Sequence, residues 1–205
     1  MLPTSWRVTH AYLEGRLSIY KNELQSARDQ LRRALAFCHI EYTSNQRKIL
    51  KFLVPVEMNL NRFPTSKLLQ RHNLLEYLDI SNACQSGDIL GFEKALSFQM
   101  DNFVYGGVYL VFERLRNLTL RNLLKRIALV VRREPELQVA GGAHILQIEL
   151  IYNILREWDP QLDMDEVECI IANLIHQGLV KGYISHERRL LVLASKGGEP
   201  FPLQA

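Results

Sequence analysis

The sequence predicts a mainly α-helical protein, a right-handed solenoid of tetratricopeptide-like helical hairpins that ends in a winged helix with a short β-hairpin. Apolar residues recur at helical spacing through most of the chain. Short polar or glycine-containing joints separate these segments, and the alternation typical of strands occurs near the C-terminus. We therefore expect a helical solenoid over 1–117 and a winged-helix part with a C-terminal tail over 118–205.

The composition is that of an ordinary globular protein. The 205 residues include 25 Lys and Arg against 22 Asp and Glu, and 47% are hydrophobic, which excludes disordered and collagen-like chains. Three dispersed cysteines without a Cys-x-x-Cys pair predict free thiols in a reducing compartment, with no metal site and no cofactor. No apolar run reaches the about 18 residues of a membrane helix, so we expect a soluble intracellular protein.

Paired helices account for the first part of the chain. The predicted helices are 6–20, 23–37, 44–61 with a kink at Pro55, 67–71, 74–85, 89–98 and 108–116. Small residues at Gly15, Ala27 and Ala34 allow the first two helices to pack closely as a hairpin. Because no polar capping helix precedes them, we expect the chain to begin part-way into a longer solenoid.

The last part of the chain predicts three helices and a hairpin. The elements are helix 119–131, a loop over 134–142, helix 146–158, a helix from Asp163 to Gly178, strand 179–185 and strand 190–194. Asp163 and Glu166 form a capping box at the start of the third helix, and Gly178 closes its end. Three helices followed by two strands are the outline of a winged helix, with the polar turn 186–189 as its wing.

This region resembles the PCI-domain family, the scaffold subunits of the proteasome lid, the COP9 signalosome and translation initiation factor three. The matching residues are Asp163-Met-Asp-Glu-Val-Glu-Cys-Ile-Ile-Ala-Asn-Leu-Ile175, Gly178 and the run 180–186. The motif Lys181-Gly-Tyr-Ile-Ser-His186 and the triplet Arg121-Asn122-Leu123 resemble one branch. That branch contains the PCI subunit of the nuclear-pore transcription-and-export complex and a signalosome-associated relative.

The resemblance implies a non-enzymatic scaffold subunit of an mRNA-export complex, located in the nucleus at the nuclear pore. It implies two protein partners, a larger GANP-like PCI subunit and a small acidic disordered subunit shared with the proteasome lid. It further implies weak, sequence-nonspecific contact with an RNA or DNA backbone, and neither a membrane nor a small-molecule substrate. A signalosome-associated subunit of another nuclear complex is the alternative, and a winged-helix transcription regulator is a third.

The residues themselves predict neither catalysis nor reading of bases. The glycine pairs do not form a phosphate-binding loop, and the six histidines lack metal-ligand spacing. The third helix of the winged helix carries Asp165, Glu166 and Glu168 where a recognition helix would expose basic or amide side chains. Because phosphate repels these carboxylates, we expect this helix to pack or to dock a protein.

Charge is unevenly distributed, although the net charge is only +3. Residues 111–133 hold seven basic side chains against Glu113, a net charge of +6 in 23 residues, whereas 134–205 carry −6. A solvated helix face is one explanation. An uncompensated charge of this size favours an anionic partner, either an acidic peptide or a phosphate backbone.

Two sets of residues follow as candidate contacts, and no catalytic or metal-binding residue is predicted. The predicted nucleic-acid contacts are Lys181, Arg188, Arg189, Lys196, Arg121 and Lys125. The predicted partner contacts are Arg114, Arg116, Arg126, Arg132, Arg133, Asp165 and Glu168.

Overall fold

The fold is given by a computed structural model, in which residues 3–140, 142–195 and 199–202 are described. The chain forms two compact units. Among the described residues, the helical unit comprises 3–82 and 91–116, and the winged-helix unit comprises 83–90, 117–140, 142–195 and 199–202. The predicted class, mainly helical with solenoid-type helix pairs and a winged helix, is confirmed.

Helices α1 to α9 follow one another through the first two thirds of the chain. They are α1 Thr4–Tyr20, α2 Leu24–Phe37, α3 Thr43–Asn59, α4 Ser66–Arg71, α5 Leu78–Ser86 after a 3₁₀ turn at Leu75–Tyr77, α6 Ile89–Phe98, α7 Met100–Gly106, α8 Tyr109–Glu113 and α9 Leu115–Arg133. The predicted helix 108–116 is wrong in one respect, because the structure divides it between α8 and α9. The sequence does not predict helix α7. Phe103 is the buried residue of this helix, and a single buried apolar residue gives no helical periodicity to detect.

The predicted hairpin of α1 and α2 is confirmed. Ala27, Leu31 and Ala34 are fully buried, and Gly15 lies so close to α2 that an added Cβ would stand 2.7 Å from the Leu31 Cγ atom. Glycine at this position therefore sets the distance between the two helices.

Pro55 lies inside α3, as the sequence predicts. A side chain donates a hydrogen bond to the backbone carbonyl that the proline leaves without its helical donor. Proline has no N–H, so the Lys51 carbonyl loses its ordinary helical donor. The Tyr77 hydroxyl donates to this oxygen at 3.2 Å. Tyr77 also packs against Phe103 and Phe112, with ring centroids 5.6 and 4.8 Å away. The proline is thus accommodated by the aromatic core of the helical unit.

The described residues of the winged-helix unit contain the end of α5, the start of α6, most of α9, two further α-helices and a small sheet. The remaining elements are a 3₁₀ turn at Pro135–Leu137, β1 Ile145–Gln147, α10 Ile148–Leu155, α11 Met164–His176, β2 Gly182–Ser185 and β3 Leu190–Leu193. The strand order is β1-β3-β2, and both pairs are antiparallel. The predicted two-stranded hairpin therefore gains a third strand. Leu146 and Gln147, predicted as helical, belong to β1 because they pair with Leu191 and Leu190.

Local signals determine both ends of α11. The Asp163 carboxylate accepts from the Glu166 N–H at 2.7 Å, and the Glu166 carboxylate accepts from the Asp163 N–H at 2.9 Å. Gly178, at φ +70°, follows the helix in the left-handed conformation. Both predicted boundaries of α11 are confirmed.

Candidate functional site

The wing is the turn that joins β2 to β3. Its residues 186–189 are exposed, and the paired strands end at Ser185 and Leu190. The Arg189 backbone adopts φ +51°, which is uncommon for a residue with a side chain. Two backbone hydrogen bonds of Arg189 hold this turn. The Arg189 N–H donates to the His186 carbonyl within the turn, and the Arg189 carbonyl accepts from the Ile148 N–H at the start of α10. The wing therefore presents two guanidinium groups on an anchored backbone.

Arg188 and Arg189 keep their charge available to solvent. Both side chains are exposed, and within the described residues neither forms an ion pair with a carboxylate. Exposed guanidinium groups donate to phosphate oxygens in a fork geometry. These two predicted nucleic-acid contacts thus lie together on the surface, where phosphate can reach them.

A histidine–carboxylate pair connects the wing to α11. The His186 Nδ1 atom lies 2.7 Å from the Glu168 Oε2 atom. This hydrogen bond raises the pKa of His186, and the charges of Glu168 and Asp165 act in the same direction, whereas Arg189 opposes them. Glu168 is only 13% exposed and is committed to His186. In this fold the Glu168 carboxylate therefore holds the wing histidine, whereas Asp165 is exposed, and the role of both as partner contacts stays a prediction.

Arg121 is buried in the winged-helix unit, at 2% exposure. Its guanidinium donates to the Asn122 side-chain oxygen at 2.7 Å, to the Phe201 carbonyl, and to the Pro202 carbonyl at 3.2 Å. Burial lowers the pKa of Arg121. The predicted phosphate contact is therefore wrong for this residue, because its side chain holds the segment around Phe201 against α9.

Two more cations of α9 are engaged inside the same unit. The Lys125 Nζ atom lies 3.3 Å from a Glu199 carboxylate oxygen. Arg126 donates to the Ser86 carbonyl at 2.5 Å. The charge of Lys125 is therefore partly neutralised within the fold, and the Arg126 side chain is held there by a neutral carbonyl. Arg132 and Arg133, by contrast, are exposed and form no ion pair among the described residues.

The two predicted contacts in the helical unit also differ from each other. Arg116 forms a two-pronged pair with Glu93, with distances of 2.5 and 3.2 Å, and this hydrogen bonding raises the pKa of Arg116. Its charge is neutralised locally. Arg114 is exposed, and its guanidinium donates to the neutral Asn22 side chain at 2.6 Å. Arg114 therefore keeps a positive charge at the surface of the helical unit.

Of the two remaining predicted nucleic-acid contacts, the structure describes Lys181 and separates it from the wing. Lys181 is exposed, but it precedes β2 whereas the wing follows it. A strand rises about 3.3 Å per residue, so Lys181 lies at the far end of the hairpin from Arg188. Lys196 lies outside the described residues.

The described residues offer no arrangement for metal binding or for crossing a membrane. They contain no group of three or more His, Cys, Asp and Glu side chains that could hold a metal ion. Among the same residues, no helix combines the length and the apolar character that a bilayer crossing requires.

Sequence reasoning missed two interactions that shape the candidate site. Glu168 and His186 are 18 positions apart, on a helix and a turn, so no short-range spacing relates them. Arg121 and Phe201 are 80 positions apart.

Comparison with known proteins gives a match to a family model. The model described as PCI domain matches residues 97–195 of the chain. The chain is 38% identical over 200 residues to Enhanced ethylene response protein 5 of Arabidopsis thaliana, covering 98% of this chain and 47% of that protein.

Two further relatives carry other names. PCI domain-containing protein 2 of Xenopus laevis is 34% identical over 197 residues, which cover 96% of this chain and 46% of the relative. Protein CSN12 homolog of Neurospora crassa is 34% identical over an alignment of 206 residues, which covers 97% of this chain and 45% of that relative. The chain thus spans about half the length of the curated relatives that it matches.

Proposed function

We propose that this chain is a PCI-domain protein, a non-enzymatic scaffold subunit of an mRNA-export complex, and that it contacts nucleic acid through the backbone, without reading its sequence. The observation that carries the proposal is the division of charge in the winged-helix unit. Its wing exposes Arg188 and Arg189, whereas α11 exposes Asp165 and Glu166. A helix with these carboxylates is repelled from a DNA groove, while two exposed arginines suffice for phosphate contact.

The protein partners belong to the same proposal. They are a larger GANP-like PCI subunit and a small acidic disordered subunit, and the complex acts in the nucleus, at the nuclear pore. Support comes from the resemblance of the winged-helix motifs and from the similarity to proteins named PCI domain-containing protein 2. Arg132 and Arg133 support the acidic partner, because both are exposed at the end of α9 without a neutralising carboxylate among the described residues.

A second candidate rests on one specific comparison. The similarity to Protein CSN12 homolog is as high as that to the Xenopus relative, at 34% identity. Under this alternative the chain is a signalosome-associated subunit of a different nuclear complex. The two candidates share the fold and the wing, so the identity of the larger partner separates them.

Affinity purification of the tagged 205-residue chain from a native nuclear extract tests the proposal. We expect one larger PCI-domain protein and one small acidic polypeptide in stoichiometric amounts, identified by mass spectrometry. The variant Arg132→Glu/Arg133→Glu should lose the small acidic polypeptide, while the matched variant Lys67→Glu/Arg71→Glu on α4 should retain it. Recovery of signalosome subunits would favour the second candidate, and recovery of neither set would contradict both.

A further inference from the structure

The wing carries a third group that can hold a positive charge, the imidazole of His186. The side chain is 77% exposed, and Arg188 and Arg189 follow it in the same turn. Its Nδ1 atom lies 2.7 Å from the Glu168 Oε2 atom, while its Nε2 atom has no hydrogen-bond partner among the described residues. One edge of the ring is therefore bound to α11, and the other edge is open to solvent.

The Glu168 carboxylate that holds the ring is itself withdrawn from water. Its side chain is 13% exposed, and within the described residues its Oε1 atom is buried without a hydrogen-bond partner. A carboxylate removed from water is stabilised by an adjacent cation, and it is costly when left uncompensated. His186 can supply this cation at hydrogen-bond distance. The pair therefore favours the protonated ring.

The charged groups around the ring come from α11, from the wing itself and from the start of α10. Glu168 raises the pKa of the wing histidine through its hydrogen bond and its charge, Asp165 acts in the same direction, and Arg189 opposes both. The adjoining elements also carry Glu187 in the wing and Glu149 in the first turn of α10. Because the carboxylates outweigh the arginine, the ring stays protonated to a higher pH than an ordinary histidine does.

The protonated ring has a donor to spare. An imidazolium donates from both of its nitrogens, so that the Nδ1–H of His186 points at Glu168 and the Nε2–H is left for an external anion. Arg189 lies close enough to lower the pKa of the ring, which means that the two cations repel each other. A phosphate beside them relieves this repulsion, because charge-assisted hydrogen bonds form to both.

We propose that the protonated ring of His186 is a third phosphate contact of the wing, and that Glu168 positions it with its Nε2–H toward the nucleic-acid backbone. This role rests on the proposed contact of the wing with nucleic acid, and it makes part of that contact depend on a proton. Because a bound phosphate favours the protonated ring, affinity is greatest at low pH and falls as the pH rises through the raised pKa of His186. The arginines keep their charge throughout this range.

Binding to a random-sequence DNA duplex at two pH values tests the proposal. Fluorescence anisotropy gives the association constant of the 205-residue chain at about pH 5.5 and about pH 8.5, on either side of the ordinary histidine pKa of about 6.5. The charge of the phosphodiesters is constant over this interval, so a change in affinity reports on the protein. For the wild type we expect binding to be about threefold weaker at the higher pH, and the dependence of log K on log salt to decrease by about 0.9, the value of one phosphate contact.

Three variants assign this change to the ring. His186→Gln removes the charge, so the difference between the two pH values should disappear. His186→Lys keeps a charge at both, so at the higher pH it should bind as the wild type binds at the lower pH. His10→Gln is the matched control, because His10 is an exposed histidine 3.5 Å from Glu14 in the helical unit, and it should retain the wild-type dependence on pH. Circular dichroism at both pH values verifies that each variant is folded.

Glu168→Gln separates a direct contact from an effect on the position of the arginines. The amide oxygen of glutamine still accepts from the Nδ1–H, and an ordinary histidine is protonated at the lower pH. We therefore expect wild-type affinity at that pH, followed by a fall at lower pH values than in the wild type. Weaker binding at the lower pH by the folded variant would show that the pair holds the wing in place without a phosphate contact of its own.

The histidine and the arginines are changed separately, so that each result decides one claim. A wild type with the same affinity at both pH values, or a His186→Gln variant with the wild-type dependence on pH, would overturn the role of His186. An Arg188→Glu/Arg189→Glu variant that binds as tightly as the wild type at the lower pH would instead overturn the proposed phosphate contact of the two arginines.

Discussion

The arginines of α9 and those of the wing share one chemistry and serve opposite purposes. Arg121 is buried and holds the segment around Phe201, whereas Arg188 and Arg189 are exposed on a turn that two backbone hydrogen bonds of Arg189 hold in place. By the number of basic residues, α9 carries more positive charge than the wing. Part of that charge is buried or paired with a carboxylate inside the fold. The comparison teaches that available charge, and not the number of basic residues, determines where an anion can bind.

The largest effect is expected at Arg121. Arg121→Met keeps the volume but leaves the Asn122 oxygen and two carbonyls without their donor. We expect the free energy of unfolding to fall by about 2–4 kcal/mol, since several charge-assisted hydrogen bonds are lost in a buried site. Urea denaturation measures the change. Arg133→Met, on the exposed end of the same helix, is the control and should change stability by less than about 0.5 kcal/mol. Equal stability of the two variants would remove the structural role assigned to Arg121.

The wing should show the converse behaviour. Arg188→Glu/Arg189→Glu should weaken binding to a random-sequence duplex by about tenfold, which corresponds to about 1.4 kcal/mol, and should leave the unfolding temperature unchanged. Fluorescence anisotropy and differential scanning calorimetry check the two halves of this prediction. Lys67→Glu/Arg71→Glu makes the same charge change in the helical unit and should bind like the wild type. An equal loss in both double variants would indicate a general charge effect without a site.

Arg116 provides an intermediate case. Its pair with Glu93 is partly exposed, so Arg116→Met should cost about 0.5–1 kcal/mol, after screening by solvent. A double-mutant cycle with Glu93→Gln, followed by urea denaturation, isolates the coupling between the two side chains. A coupling energy of zero would show that the pair does not neutralise Arg116 to any useful extent.

The smallest effect is expected at His186. Its pKa should exceed the ordinary value of about 6.5, because Glu168 bonds the protonated ring. The pair therefore stabilises the wing fully at pH values below the ordinary pKa of histidine. This contribution is lost as the pH rises through the raised pKa of His186. A proton NMR titration of the His186 ring measures the pKa, and Glu168→Gln should lower it. A pKa that is the same in both proteins would contradict the link between the wing and α11.

Local features of the fold could be predicted from the sequence, and interactions between distant residues could not. The capping box at Asp163 and Glu166 was predictable because both partners lie within one helical turn. The strand β1 was not, because three residues are too short a pattern to distinguish it from the helix that follows. Its partner strand, β3, lies far along the chain, so only the folded structure reveals the pair.

The same distinction between local features and distant interactions applies to the candidate site. The wing and its arginines could be located from the alternation of the flanking strands. The availability of each charge could not, because it depends on partners such as Phe201 for Arg121 and Glu199 for Lys125. The distribution of charge along the sequence is therefore a correct but incomplete guide to the surface.

The salt dependence of nucleic-acid binding tests the central claim most directly. The logarithm of the association constant with a random-sequence duplex is measured against the logarithm of salt concentration for the wild type and for Arg188→Glu/Arg189→Glu. Each lost phosphate contact reduces the slope by about 0.9, so we predict a decrease of about 1.8 in the double variant. A slope that does not change would contradict phosphate contact by the wing.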